Sequence, residues 1–181
     1  MSEFLFWFSL IFILYPCAGY PALLFVWSRL FPKPVLKAYM KPEPLVSVVI
    51  AARNEEKNIR PRIENLVRQD YPAEKLEIIV VSDGSNDATV QIVRHLIEEL
   101  ERSPGRPPLK LIEVVENKGK PYALNLGVAE ARGEIIVFAD SRQIFDGSAV
   151  SALVSNFSDT TVGGRERRTL PYGWRTRRSP G

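Results

Sequence analysis

The sequence predicts an α/β domain, a mainly parallel sheet with helices on both faces, preceded by one transmembrane helix. Three observations point there: residues 4–28 carry no charge, four short Val/Ile-rich runs recur from residue 45 onward, and segments of helical periodicity follow those runs. The chain has 181 residues, about the length of one domain. Apolar residues at 45% and charged residues at 25% exclude a disordered chain. A single cysteine, Cys17, and a single histidine, His95, exclude a disulfide scaffold and a His/Cys zinc site.

The first element is the membrane helix, residues 1–30. Its uncharged stretch from Phe4 to Ser28 is long enough, at 1.5 Å per residue, to cross about 30 Å of hydrocarbon. Pro16 and Pro21 lie inside it and predict a kink, because each removes a backbone donor. Trp7 and Trp27 fall near its ends, where aromatic belts form. Arg29, Lys33, Lys37 and Lys41 follow the span and only Glu3 precedes it, so the positive-inside rule predicts a single-pass protein with its remainder on the cytoplasmic side. A cleaved signal peptide is the alternative, but that needs a basic start and a shorter apolar core. Residues 31–44, with prolines at 32, 34, 42 and 44, read as an extended linker.

The soluble part follows as four strand and helix pairs. Leu45–Ala51 is a β-branched apolar run of the kind buried on both faces. Asn54-Glu55-Glu56 then offers a cap and an acidic first turn for a helix running to about Arg68. Leu76–Val81 is the second strand, and a Ser82-Asp83-Gly84-Ser85-Asn86-Asp87 turn cluster leads into a helix over Ala88–Glu101. Leu109–Val115, Pro121–Ala131, Glu134–Ala139 and Gly147–Phe157 complete the alternation as strand, helix, strand, helix. Arg60, Arg62 and Arg68 read as the wet face of the first of these helices, and Glu98, Glu99 and Glu101 as a solvated acidic end of the second.

Ligands of open parallel sheets bind beyond the carboxyl ends of the strands, so the polar residues there carry the functional reading. No G-x-G-x-x-G and no G-x-x-x-x-G-K-[ST] is present, which excludes a dinucleotide fingerprint and a P-loop. The strand ends offer acids and cations instead. Asp83 has the chemistry to accept hydrogen bonds from a base or a ribose, Lys118 and Lys120 to neutralise a diphosphate, and Asp140 to hold a metal or a ribose. Each has a plainer role too: Asp83 as a helix cap, the two lysines as solvated surface groups.

Four segments in this order and spacing, Val46–Glu56, Val80–Thr89, Asn117–Lys120 and Ala123-Leu124-Asn125, resemble family 2 glycosyltransferases over about Leu45 to Gly163. The resemblance implies the GT-A fold, a Rossmann-like sheet, and an inverting transfer of sugar from a nucleotide-diphosphate donor to a hydroxyl in polysaccharide or glycoconjugate synthesis. It places the base and ribose on Ala51, Arg53, Glu55 and Asp83 and the Asn117–Lys120 segment near the donor; with Lys120, Asp140 and, by its charge, Arg142, these make up the expected donor site. It also implies Mg2+ or Mn2+ on Asp140. An N-terminal membrane helix before such a domain is similar to the membrane-embedded polysaccharide synthases of the family.

Two departures qualify this. The family's Asp-x-Asp reads Asp140-Ser141-Arg142 here, so a cation stands where a metal ligand is expected. Either metal binding is weakened or Arg142 clamps the diphosphate, and the second is the expectation. Secondly, no acidic catalytic base or Gln-x-x-Arg-Trp segment is present, so no catalytic residue is assigned, residues 45–163 read as a donor-binding half, and residues 164–181 as a basic irregular tail from a truncated or shifted frame. A donor-binding remnant without turnover is accordingly the alternative function. The tail also settles the charge argument: residues 165–181 carry six Arg and one Glu, and the rest of the chain sits at −2 within a total of +3. The basic pI of about 9.1 is therefore no sign of a nucleic-acid partner. The expected partners are the donor and the bilayer; the acceptor is not specified by the sequence.

Overall fold

A computed structural model of the chain describes residues 1–34 and 43–159, which fall in two separate units, one within residues 1–36 and the other within residues 37–181. Most of the expected linker, with Lys37 and Lys41, and the whole basic tail lie outside the described residues.

The first unit is one continuous run of helix from Ser2 to Leu30: α1 (Ser2–Leu14), a π-helical turn (Tyr15–Gly19) and α2 (Tyr20–Leu30). Glu3–Leu30, 28 residues, is long and apolar enough to cross a membrane. The two prolines are accommodated by the helix itself. Pro16 stands in the π turn, where the Tyr20 N–H reaches the Tyr15 carbonyl, and Pro21 stands in the first turn of α2. A local i→i+5 bond of this sort absorbs a missing donor without ending the helix.

In the second unit β1 (Val46–Ala52), β2 (Leu76–Asp83), β3 (Leu109–Val114) and β4 (Ile135–Ala139) form one parallel sheet in the order β3-β2-β1-β4. The expected strands and sheet are thus present. Val46, Val48 and Ile50 of β1 and Ile78 and Val80 of β2 are fully buried on one face, against Ile59, Ile63 and Leu66 of α3 (Ile59–Val67), Val93 and Leu96 of α4 (Thr89–Glu101), and Val150 and Val154 of α6 (Ala149–Ser155). Val49, Ile79 and Val81 point to the other face, against Ala123 of α5 (Lys120–Glu130). Period-two alternation in strands that are apolar on both sides produces this double core. Helix α5 comes close enough that a Cβ on Gly127 would lie 2.4 Å from Val49 Cγ1, so only glycine permits that approach.

Two expectations about α3 need correction. The helix begins at Ile59, not at Asn54, because Asn54 takes a left-handed φ of 54° and turns the chain. Arg62 is not on the wet face: it is 1% exposed and shares the core-facing stripe of Ile59, Ile63 and Leu66. Arg60 does face outward and pairs with Glu64 and Glu99, and Glu99 also meets His95 at 3.1 Å. The acidic end of α4 is therefore partly paired, and His95 has an acidic neighbour one turn along its own helix.

The starts of the strands are clasped by one buried acid. Glu77, 5% exposed, accepts from Ser47 Oγ, from the Arg132 N–H at 2.6 Å and from Arg132 Nε at 3.0 Å, while Gly133 N donates to Ser47 Oγ at 2.7 Å. Burial alone would push the Glu77 carboxyl up, but the bonds from Ser47 and Arg132 overcome it and hold the group below its ordinary value. A depressed folded pKa gives stability that is fully present above the unfolded value near 4.5 and is lost as pH falls from there through the folded value. Glu77→Ala should cost about 3 kcal/mol at pH 7. In thermal unfolding, the gap between wild type and variant should narrow below pH 4.5; a gap independent of pH would contradict the assignment.

Candidate functional site

The chain runs β1 to β2 to β3 in one direction and then crosses back by way of α5 to place β4 on the far side of β1. The order reverses between β1 and β4, which makes the carboxyl ends of those strands the expected binding crevice. A cleft of about 390 Å³ opens there. It gathers all seven residues expected from the sequence, Ala51, Arg53, Glu55, Asp83, Lys120, Asp140 and Arg142, and adds Ala52, Asn117, Gly119 and Ser141. A second cleft of about 420 Å³ lies at the opposite ends of the strands, lined in part by Glu77, Lys110, Glu130 and Arg132. These charges are paired with one another, Lys110 with Glu130 and Arg132 with Glu77, so that cleft offers little chemistry of its own.

Asp83 ends β2 and is 3% exposed. Its Oδ1 accepts the Lys118 N–H and its Oδ2 the Gly119 N–H, both at 2.8 Å. The carboxylate therefore holds the loop that follows β3 and does not cap α4. Asp87, one residue before the Ala88 N-cap, accepts from the N–H and hydroxyl of Thr89 at the start of α4. The turn between them is closely fitted: Gly84 has φ +64°, and a Cβ there would lie 2.6 Å from Asn117 N. The loops after β1 and β2 are also laced together. Asn86 N donates to Asn54 Oδ1 at 2.8 Å, Glu56 N to Asp87 Oδ2 at 3.1 Å, and Ala88 N to Glu56 Oε2 at 3.2 Å.

The two lysines expected to act together are separated. Lys120 opens α5 and its Nζ donates to Asp140 Oδ2 at 3.1 Å, inside the cleft. Lys118 Nζ instead sits 5.0 Å from the centre of the Tyr122 ring and its residue does not line the cleft. Arg142 donates its backbone N–H to Asp140 Oδ1 at 3.0 Å and its Nε to Glu55 Oε1 at 2.9 Å. Glu55 itself is 8% exposed and takes a further bond from Asn58 Nδ2 at 2.7 Å. The backbone bond from Arg142, followed by the ammonium of Lys120, holds the Asp140 carboxyl below its ordinary range.

The arrangement places two cations beside one ionised carboxylate at the open end of a sheet, with the N-terminus of α5 facing the same space. It suits a phosphorylated ligand. Among the described residues no group of three or more His, Cys, Asp or Glu side chains is placed to hold a metal ion. Asp140 alone fits a magnesium-like ion only where a ligand's phosphate oxygens complete the shell, which is a common arrangement for that ion.

Comparison with known proteins agrees with this geometry. Residues 47–179 match the glycosyl transferase family 2 profile. The chain is 39% identical over 124 residues to the probable glycosyltransferase YdaM of Bacillus subtilis (strain 168), covering 67% of this chain and 28% of that protein. Among solved structures, the mannosyltransferase PcManGT from Pyrobaculum calidifontis in complex with GDP-Man and Mn2+ superimposes with a TM-score of 0.68 at 34% identity, over 83% of this chain and 44% of that one. TarS 1-349 of Staphylococcus aureus in complex with UDP-GlcNAc gives 0.52 at 31% identity, over 60% and 30%. The chain thus spans less than half the length of each of these relatives. With the four parallel strands, their helices and the matched residues in agreement, the chain belongs to glycosyl transferase family 2 and carries the GT-A fold.

Proposed function

We propose that the cleft binds a nucleoside-diphosphate sugar and that the protein transfers this sugar, with inversion, to a hydroxyl acceptor. The observation that carries the reading is a pair of cations lining one cleft, Lys120 on Asp140 and Arg142 on Glu55, at the point where the strand order reverses. Ala51, Arg53, Glu55 and Asp83 form the nucleoside side. Each Asp83 oxygen accepts one backbone N–H, and a carboxylate oxygen has room for a second donor from a base or ribose. The Nε of Arg142 is committed to Glu55, which leaves its two terminal nitrogens for phosphate oxygens. As the sugar C1–O bond breaks, the electron pair goes to the diphosphate, and Lys120 and Arg142 stabilise the charge that develops there.

A divalent ion would be held by Asp140 and the donor's phosphates, and it would supply further neutralisation of the leaving diphosphate. The three cleft acids, Glu55, Asp83 and Asp140, each carry hydrogen-bond donors. A free base to deprotonate the acceptor is not among them, and this observation also favours a second reading, donor binding without transfer. We read the apolar helix Glu3–Leu30 as a single-pass anchor with the domain on the cytoplasmic side, supported by its length and by Arg29 and Lys33 after it.

Calorimetric titration of the full chain in detergent with UDP-, GDP- and dTDP-sugars should give binding to at least one of the three; absence of binding to all would refute the donor site. Arg142→Ala should weaken that binding about tenfold, roughly 1.4 kcal/mol, whereas EDTA should change it less than threefold. The reverse ranking would make the metal the principal clamp. Asp83→Asn should both lower the unfolding temperature, by losing about 2 kcal/mol of charge-assisted bonds, and weaken binding; unchanged affinity would remove Asp83 from the site. Transfer of labelled sugar to any hydroxyl acceptor would eliminate the binding-only reading. The chain should stay with the membrane fraction on carbonate extraction, and its release would refute the anchor.

A further inference from the structure

Arg62 is a costly placement: among the described residues its side chain alone has buried polar atoms without a hydrogen-bond partner. Its guanidinium is buried with the side chain 1% exposed, and Nε and Nη2 have no hydrogen-bond partner. Burial pulls the guanidinium below its ordinary value, and the nearby negative charge of Asp140 opposes that shift; an arginine stays charged all the same. A neutral side chain of similar volume among Ile59, Ile63 and Leu66 would avoid this cost. Such a charge is retained in a core at the expense of stability only if it does something there.

What it touches is the segment that carries Asp140 and Arg142. Between the end of β4 at Ala139 and the start of α6 at Ala149 the chain has no strand or helix of its own. Asn65, one turn along α3 from Arg62, ties that segment down. Asn65 Nδ2 donates to the Phe145 carbonyl at 2.9 Å, and Asn65 Oδ1 accepts the Phe145 N–H at 2.9 Å. Both bonds require the amide in one orientation. Arg62 Nη1 donates to the same Oδ1 at 2.8 Å, and the guanidinium lies 4.0 Å from the centre of the Phe145 ring. The cation thus fixes the amide from behind and grips the ring in front.

We propose that Arg62 is a positioning residue: through Asn65 and Phe145 it sets the segment that presents Asp140 and Arg142 to the donor's diphosphate, and the fold gives up stability for it. The proposal rests on the donor reading of the cleft. Because Arg62 acts through other residues, it is not itself a ligand of the donor.

The test compares wild type, Arg62→Met, Arg62→Lys and Asn65→Ala, each as the full chain in detergent. Three quantities are measured: affinity for UDP, GDP and dTDP, the unfolding midpoint, and hydrogen exchange at the Phe145 amide. In Arg62→Met the midpoint should be equal or higher, the affinity three- to tenfold weaker and exchange faster. Arg62→Lys, which restores the charge, should recover a large part of the affinity. Asn65→Ala should reproduce the faster exchange and the weaker binding with Arg62 in place, and it decides the matter if Arg62→Met fails to fold. Wild-type affinity and exchange in Arg62→Met would overturn the proposal, as would losses that only follow a lowered midpoint. If wild type binds none of the three nucleotides, the donor reading fails by itself, and exchange at Phe145 in Arg62→Met then decides the positioning role alone.

Discussion

Strands β1 and β2 are covered on both faces, and this constraint decides where the polar groups of the strands can go. Val46, Val48, Val49 and Ile50 are 0% exposed, and their backbone groups are used up by parallel ladders on either side. A side chain with hydrogen-bonding needs has only the strand ends available, since burial without a partner costs a few kcal/mol. Of the four buried polar residues within these strands, Ser82 and Asp83 stand at the carboxyl end of β2, and Ser47 and Glu77 satisfy each other across the first rungs. Chemistry is therefore expelled to the two poles of the sheet, and the reversal of strand order makes one pole a cleft.

At that pole the loops hold each other instead of resting on regular structure. Asp83 secures the loop after β3, Asn54 and Glu56 secure the turn before α4, and Asn65 secures the segment after β4. Each tie joins segments far apart in sequence, so ordering one loop helps to order the next. The entropy of loop ordering is thus met during folding, leaving less to be lost when a ligand arrives.

The strands and the cleft were largely legible in the sequence, for a physical reason. A strand buried on both faces must be a continuous β-branched run, and residues that follow such runs in a parallel sheet must converge at one edge. The seven residues singled out there do converge; the family resemblance named Ala51, Arg53, Glu55 and Asp83, while Lys120 and Arg142 were singled out by charge and place. What remained hidden depended on side-chain direction. Nothing in the local sequence shows that Asp83 spends its oxygens on amides 35 and 36 residues away, or that Lys118 turns to Tyr122 while Lys120 turns inward. Asn54 looked like a cap because asparagine favours caps, and the same short side chain lets it take a left-handed φ. Arg62 did leave a signal, its place in the apolar stripe with Ile59, Ile63 and Leu66, but the general rarity of buried arginine outweighs spacing when only sequence is read.

The charged residues that line the cleft, Arg53, Lys120 and Arg142 against Glu55, Asp83 and Asp140, balance in number. A balanced cleft casts little field beyond a Debye length, about 8 Å at physiological ionic strength. It does not draw polyanions indiscriminately from solution. Lys120 is instead parked on Asp140 and Arg142 keeps its Nε on Glu55, so on the donor reading proposed above a diphosphate would take Lys120 by exchange and meet Arg142 at its two terminal nitrogens, both at close range. Selectivity of this kind comes from fit at contact, and encounter is left to diffusion.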